Sequence, residues 1–242
     1  MKIISVEGIV INVTPFKESS KILNILTKEY GIIGVVSKGC KGIKSKLRLV
    51  SERNAYAIFH MYYKENGLST LIDGDIINYF INIRKDIIKT SYMSYLIELA
   101  SSVFKQSNNE EVYDLLINSL LKIEEGFDHR IISNILELQY LDYLGIGLNL
   151  DCCVRCGESK VVTLSLSKGG YVCSIHRTDE VILNEKTIKM FRLYKYVDIS
   201  KISELKIDKN VSNKINDILD EYYKEYSGIY TKNKDFLKSI DN

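Results

Sequence analysis

The chain has 242 residues, of which 45% are hydrophobic, and a formal net charge of +2. This length leaves room for one large domain or two small ones. No apolar run approaches the roughly 20 residues that a bilayer-spanning helix needs. The apolar N-terminus carries Glu7 and lacks a small-residue cleavage site, which predicts a strand rather than a signal peptide. Five cysteines without an export signal indicate a reducing compartment, so we expect a cytoplasmic protein.

The positive charge is concentrated in one part of the chain. Residues 1–80 contain eleven Lys/Arg and seven Asp/Glu, whereas the remainder contains twenty-two and twenty-four. Within the segment from residue 38 to residue 53, which we call the basic segment, Glu52 is the single acid. The cations of this segment are Lys38, Lys41, Lys44, Lys46, Arg48 and Arg53. Such clustering is typical of a site that contacts nucleic-acid phosphates, and a solvated surface loop is the alternative.

The first eighty residues predict short strands. Apolar and β-branched runs alternate with turn residues, and Asn66-Gly67 is a hairpin signal. The predicted strands are 3–13, 22–27, 32–37, 55–63 and 69–79. Five short strands without a helical period favour a small closed barrel. An SH3-like barrel or part of a sandwich is the alternative.

After residue 80 the apolar residues recur every three or four positions, which predicts amphipathic helices. These helices are expected at 83–103, 112–123, 131–144, 188–196 and 211–226. The tail 232–242 is polar, and we expect it to fray. The predicted fold class is therefore α+β, with a barrel domain at 1–80 and a helical domain at 81–242.

Segment 151–177 interrupts the helices with closely spaced metal-ligand residues. Cys153 and Cys156 form a C-x2-C pair, and Cys173 and His176 form a C-x2-H pair. Two such pairs are how a chain surrounds one tetrahedral Zn²⁺. Two disulfides or chance clustering are the alternatives, and a histidine among the four argues against disulfides. Because four protein ligands leave no open position, we expect a structural zinc, with Cys152 as a spare thiol.

Catalytic constellations are not apparent in the sequence. The stretch Gly34–Lys41 has the glycine spacing of a nucleotide-binding loop, but a cysteine stands where the phosphate-gripping lysine belongs. The two histidines outside the predicted zinc site, His60 and His129, are expected to be structural. Asp73 and Asp75 share a strand face, and such a pair is more often a solvated edge than a nuclease metal site. The sequence therefore predicts a protein that is not an enzyme.

Several short motifs occur in a fixed order along nearly the whole chain. They are E-G-I-V at Glu7–Val10, E-S-S-K-I-L at Glu18–Leu23, L-T-K-E-Y-G ending at Gly31, V-S-K-G ending at Gly39, K-S-K-L-R at Lys44–Arg48, L-x-Y-L-G-I at Leu141–Ile146 and C-x2-C-G…C-x2-H at Cys153–His176. In these motifs the chain resembles the RecO family of bacterial DNA repair proteins, the recombination mediators of the RecF pathway. Two positions depart from the family: Arg53-Asn54 replaces a frequent proline-aromatic pair, and His176 stands where many members have cysteine.

The resemblance implies an N-terminal OB-fold barrel joined to a helical domain with an embedded zinc module. It also implies binding of single- and double-stranded DNA, annealing of complementary strands, and help in replacing single-strand-binding protein with recombinase. The implied partners are RecR and the C-terminal tail of single-strand-binding protein, and the implied location is the nucleoid within the cytoplasm. The alternative is a zinc-containing protein-interaction or transcription-associated module that uses its barrel for proteins without annealing DNA.

Overall fold

The computed structural model describes residues 2–240, apart from the side chains of Lys238 and Ser239. Five strands come first and helices follow, so the α+β architecture expected from the sequence is confirmed. The strands are β1 (Lys2–Phe16), β2 (Ser20–Thr27), β3 (Gly31–Ser37), β4 (Tyr56–Tyr63) and β5 (Ser69–Asn78). Each overlaps the apolar run that predicted it, because β-branched residues with period-two alternation fit a half-buried pleated surface.

The five strands form a closed barrel in the order β1-β2-β3-β5-β4, which pairing of β4 with β1 completes. Neighbouring strands are antiparallel except β3 and β5, which pair in parallel through Val35–Ser69 and Val36–Thr70. Alternate residues point inward and fill the interior, with Leu23 and Phe59 fully buried.

The helices begin at Ile81, and side-chain caps set several of their ends. They are α1 (Ile81–Arg84), α2 (Ile87–Ser107), α3 (Glu111–Glu125), α4 (His129–Tyr143), α5 (Glu185–Tyr196), α6 (Lys209–Tyr222) and α7 (Lys232–Ile240). The prediction of one helix from residue 83 was wrong at its start. The Asp86 carboxylate accepts hydrogen bonds from the N–H groups of Ile88 and Lys89, so a new helix begins after it. Likewise α6 ends earlier than expected and is followed by a π-type turn at Tyr223–Ser227.

The prediction that the C-terminal tail frays was wrong for residues 232–240, which form α7. The backbone N–H and the side-chain amide of Asn233 both donate to the Glu98 carboxylate, at 3.1 and 2.7 Å. The Lys234 ammonium lies 5.0 Å from the ring centroid of Tyr95, and Leu237 is buried. The helix is therefore held by contacts with α2 that a polar sequence did not reveal. Asp241 and Asn242, the rest of the predicted tail, lie outside the described residues.

The chain divides into two compact units, Met1–Leu116 with Asn233–Asn242, and Ile117–Lys232. The first unit contains the barrel, α1 and α2, and the second contains α4 to α6 with the cysteine-rich segment. The strands end close to residue 80, but the first unit continues past them. That residues 1–80 form a domain of their own stays a prediction. Within residues 2–240, no helix has the length and apolar character needed to cross a membrane.

Candidate functional site

The basic segment connects β3 to β4 as a run of hydrogen-bonded turns. The N–H groups of Gly42, Ser45 and Arg48 donate to carbonyls three residues earlier, at 3.3, 3.0 and 3.2 Å. A 3-10 turn at Leu49–Ser51 follows. Because each turn starts where the previous one ends, the backbone of the segment has a defined course. The backbone positions of its cationic residues are therefore defined.

Buried side chains anchor this segment to the barrel. Val50 is 1% exposed within the barrel core, and Leu47 packs against the same core. The Ser51 hydroxyl donates to the Ser37 hydroxyl at 2.8 Å in a buried position. Cys40, the one cysteine outside the metal-ligand segment, is fully buried and belongs to this anchoring. The segment thus packs Leu47 and Val50 against the barrel and leaves its charged residues in solvent.

All six predicted DNA-binding cations of the segment are exposed. None of the six forms a salt bridge with any residue in the described part of the chain. The Lys41 ammonium donates to the Lys17 carbonyl at 3.2 Å, which leaves its charge uncompensated. The single acid, Glu52, pairs with Lys21 at 2.9 Å instead. The structure thus leaves the six cations exposed and their charge free for an external anion, and their contact with DNA stays a prediction.

The turn between β1 and β2 contributes a cation that sequence reasoning missed. The backbone N–H of Lys41 donates to the Ser19 carbonyl at 3.1 Å, and the N–H of Gly39 donates to the Ser20 hydroxyl at 3.4 Å. These contacts place exposed Lys17 beside the basic segment. Lys17 precedes Lys41 by 24 positions and has no neighbouring cation closer in sequence than Lys21. No local sequence signal could have found it, because the barrel fold creates the proximity.

His60 links three neighbouring strands on the outer face of the barrel. Its Nδ1 lies 2.7 Å from the Ser5 hydroxyl oxygen, and its Nε2 lies 3.0 Å from an Asp75 carboxylate oxygen. In a Ser-His-Asp triad the carboxylate contacts Nδ1 and the serine hydroxyl contacts Nε2, which is the reverse of this arrangement. The Asp75 side chain is also 78% exposed. The arrangement is therefore a cross-strand polar contact, and Asp75 is occupied by it rather than paired with Asp73 around a metal.

The metal-ligand segment forms two short turns that face each other. In the first, the N–H of Gly157, whose φ is +74°, donates to the Cys153 carbonyl at 2.9 Å. In the second, the N–H of His176 donates to the Cys173 carbonyl at 3.2 Å. One ligand atom from each of Cys153, Cys156, Cys173 and His176 falls within a group whose members are all within 4.8 Å of one another. The structure therefore brings together all four predicted ligands.

Three of the distances within this group match the edges of a tetrahedral zinc site. The Cys156 and Cys173 sulfurs are 3.8 Å apart, and His176 Nδ1 lies 3.4 Å from Cys173 Sγ and 3.7 Å from Cys153 Sγ. A tetrahedron with Zn–S of about 2.3 Å and Zn–N of about 2.0 Å has edges of about 3.5–3.8 Å. Burial opposes ionisation of the Cys153 thiol, but backbone N–H groups lower its pKa to about 6, which favours the thiolate that a metal needs. Cys152 lies outside the group, and the cysteines are unbridged.

A small sheet supports the metal-ligand segment. Strand β6 (Thr163–Ser165) pairs with β7 (Gly170–Val172), and Cys173 follows β7 directly. Beside the sheet the Lys168 ammonium donates to Glu180 at 2.9 Å and to the His176 carbonyl at 3.2 Å. Hydrogen bonds from the Ser165 hydroxyl and Lys168 hold the pKa of Glu180 well below its usual range. These contacts fix the turn that carries the fourth candidate ligand.

Comparison with known proteins gives consistent results over the whole chain. A family model described as "Recombination protein O N terminal" matches residues 1–80, and one described as "Recombination protein O C terminal" matches residues 84–235. The chain is 34% identical over 244 residues to a DNA repair protein RecO of Listeria monocytogenes serotype 4a (strain HCC23), covering 97% of this chain and 94% of that protein. The proteins of the same name from Bacillus pumilus (strain SAFR-032) and Bacillus subtilis (strain 168) are 32% and 31% identical. Those alignments cover 99% and 98% of this chain and 95% and 94% of the two relatives.

Proposed function

The chain belongs to the RecO family of DNA repair and recombination proteins, and on that premise we propose that it is a DNA-binding mediator without catalytic activity. In this proposal the closed barrel is an OB-fold, and its basic segment binds the phosphates of single- and double-stranded DNA. The observation that carries the proposal is the ordered basic segment, whose six cations have no acidic partner among the described residues. An OB-fold with a cationic groove is a common platform for nucleic-acid strands.

We further propose that the protein anneals complementary single strands. Two strands repel each other through their phosphates, and a protein that neutralises phosphates on both strands lowers this repulsion. The sequence has no intact nucleotide-binding loop, so the reaction should proceed without ATP. The assay mixes complementary labelled strands with and without the protein and follows duplex formation. The proposal fails if the protein binds single strands but leaves the annealing rate unchanged.

The proposed partners are RecR and the C-terminal tail of single-strand-binding protein, and the proposed outcome is replacement of that protein by recombinase on the nucleoid. The support is family membership. Annealing of strands coated with single-strand-binding protein should require that tail, whereas annealing of naked strands should not. The test compares full-length and tail-deleted coating protein. Equal activity on both coated substrates would contradict the tail assignment while leaving the annealing proposal in place.

We propose that Cys153, Cys156, Cys173 and His176 hold one structural Zn²⁺. The support is the donor set of three sulfurs and one nitrogen, three of whose mutual distances are close to tetrahedral edges. The ion would crosslink the two turns and so stabilise the β6–β7 region, which is the folding role of closed zinc sites. Elemental analysis of protein purified without chelators should find one zinc per chain.

A further inference from the structure

An apolar groove of about 590 Å³ opens beside the basic segment, where β5 leads into α1. Leu49 of the basic segment lines it together with Tyr79 and Ile81. These three side chains are 56%, 51% and 53% exposed. The volume falls in the range of about 300–1,000 Å³ that is typical of small-ligand sites. The groove therefore presents apolar surface, including an aromatic ring, to solvent.

Arg84 connects two parts of the chain beside the groove. Its Nε donates to the Tyr79 carbonyl at 2.8 Å, and a terminal nitrogen donates to the Asn54 carbonyl at 3.2 Å. The same nitrogen lies 3.4 Å from the carbonyl of Arg53, so the end of the basic segment is tied to the β5–α1 junction. The hydroxyl and ring of Tyr79 have no partner of their own among residues 2–240. The backbone thus positions the Tyr79 ring while its surface stays available.

The rim of the groove is positively charged. Arg84 and Lys85 line it, and neither has a carboxylate partner in the described part of the chain. Glu52 also lines it, but Lys21 neutralises that carboxylate at 2.9 Å. An anionic chain following the basic segment would therefore pass along this rim without repulsion.

We infer that the groove takes one unstacked base of a single DNA strand, with Tyr79 as the stacking ring, while the basic segment holds the neighbouring phosphates. This inference rests on the proposed DNA binding. A nucleotide joins a flat apolar base to an anionic phosphate, and the groove joins an exposed aromatic ring to a cationic rim. A duplex keeps its bases stacked inside, so the groove serves single strands only. The rival occupant is an apolar peptide end, and the exposed aromatic ring beside the phosphate-binding candidates favours the base.

The test replaces Tyr79 in the full chain and measures affinity for a single strand and for the matching duplex over a salt series. Tyr79→Ala should weaken single-strand binding by roughly tenfold, since one base–aromatic stack is lost. The slope of log affinity against log salt should not change, because no phosphate contact is removed. Tyr79→Phe keeps the ring and should bind like the parent. Tyr62→Ala is the matched control, since Tyr62 is 43% exposed on β4 and does not line the groove.

A second measurement uses the unmodified protein, so it does not depend on the folding of a variant. A single strand carrying 5-iododeoxyuridine is irradiated in the complex with the protein. Mass spectrometry should then locate the crosslink at Tyr79. Parent-like single-strand binding by Tyr79→Ala together with crosslinks elsewhere would overturn the inference. Equal weakening on single strand and duplex would also overturn it, because the groove would then only position the basic segment. Selective loss of binding to an acidic peptide with an apolar end would assign the groove to a protein partner. If the parent protein does not bind DNA at all, the proposed function is wrong. That result differs from the outcomes that would overturn the groove inference alone.

Discussion

Replacing Lys41, Lys44 and Lys46 together by Ala tests the assignment of the basic segment to DNA phosphates. Each lysine is exposed and none has an acidic partner in the described structure. On single strands each phosphate contact contributes about 0.7 to the slope of log affinity against log salt. Six contacts would make affinity fall roughly 300-fold between 50 and 200 mM salt, and three contacts roughly 20-fold. The triple variant should therefore show both weaker binding at low salt and a markedly flatter slope.

The assay is fluorescence anisotropy of labelled single strands of several sequences at four or more salt concentrations. Weakening should be similar for all sequences, because phosphate contacts carry no base information. The control replaces Lys189, Lys201 and Lys206 by Ala, which removes the same charge from exposed side chains that already pair with carboxylates. An unchanged slope in the first variant, or an equally flattened slope in the control, would refute the assignment. A steep parent slope would also argue against the alternative of a barrel that binds only proteins.

Further predictions concern the metal-ligand segment and the Lys168–Glu180 ion pair beside it. Cys153→Ser should lose most of the bound zinc and lower the unfolding free energy, whereas Cys152→Ser should keep one zinc per chain. Elemental analysis and thermal denaturation of the two variants test this prediction. Equal zinc loss in both variants would place Cys152 among the ligands. Glu180→Gln should destabilise the protein by about 1–3 kcal/mol near pH 7, since it weakens a charged hydrogen bond with Lys168. The folded-state pKa of Glu180 is depressed, so this stabilisation is complete above the unfolded value of about 4.3 and is lost progressively as pH falls from there through the lower folded-state pKa. Denaturant titrations at pH 7 and pH 3.5 should therefore show a smaller difference between parent and variant at the lower pH, where part of the stabilisation remains, and a constant difference would contradict the reasoning.

Local signals in the sequence determined the strands, most helix positions and the four candidate zinc ligands. Strand periodicity and the Asn66-Gly67 turn depend on the pleat and on residues that tolerate a tight turn, so they are readable without tertiary context. The two cysteine-containing turns are equally local, because ligand spacing within each turn is set by three or four consecutive residues. The sequence also identified the cluster of cations, because all six lie within one segment.

Only the tertiary structure decided which distant residues share a surface. Lys17 lies beside the basic segment because the β1–β2 turn contacts it, and Tyr79 meets Leu49 in one groove because Arg84 bridges the segments that carry them. The polar tail became α7 because Glu98 accepts two hydrogen bonds from Asn233. These contacts join residues 24 to 135 positions apart, whereas periodicity and turn signals extend over a few residues. A closed barrel and packed helices bring such residues together, and that physical closeness leaves no trace in the local pattern.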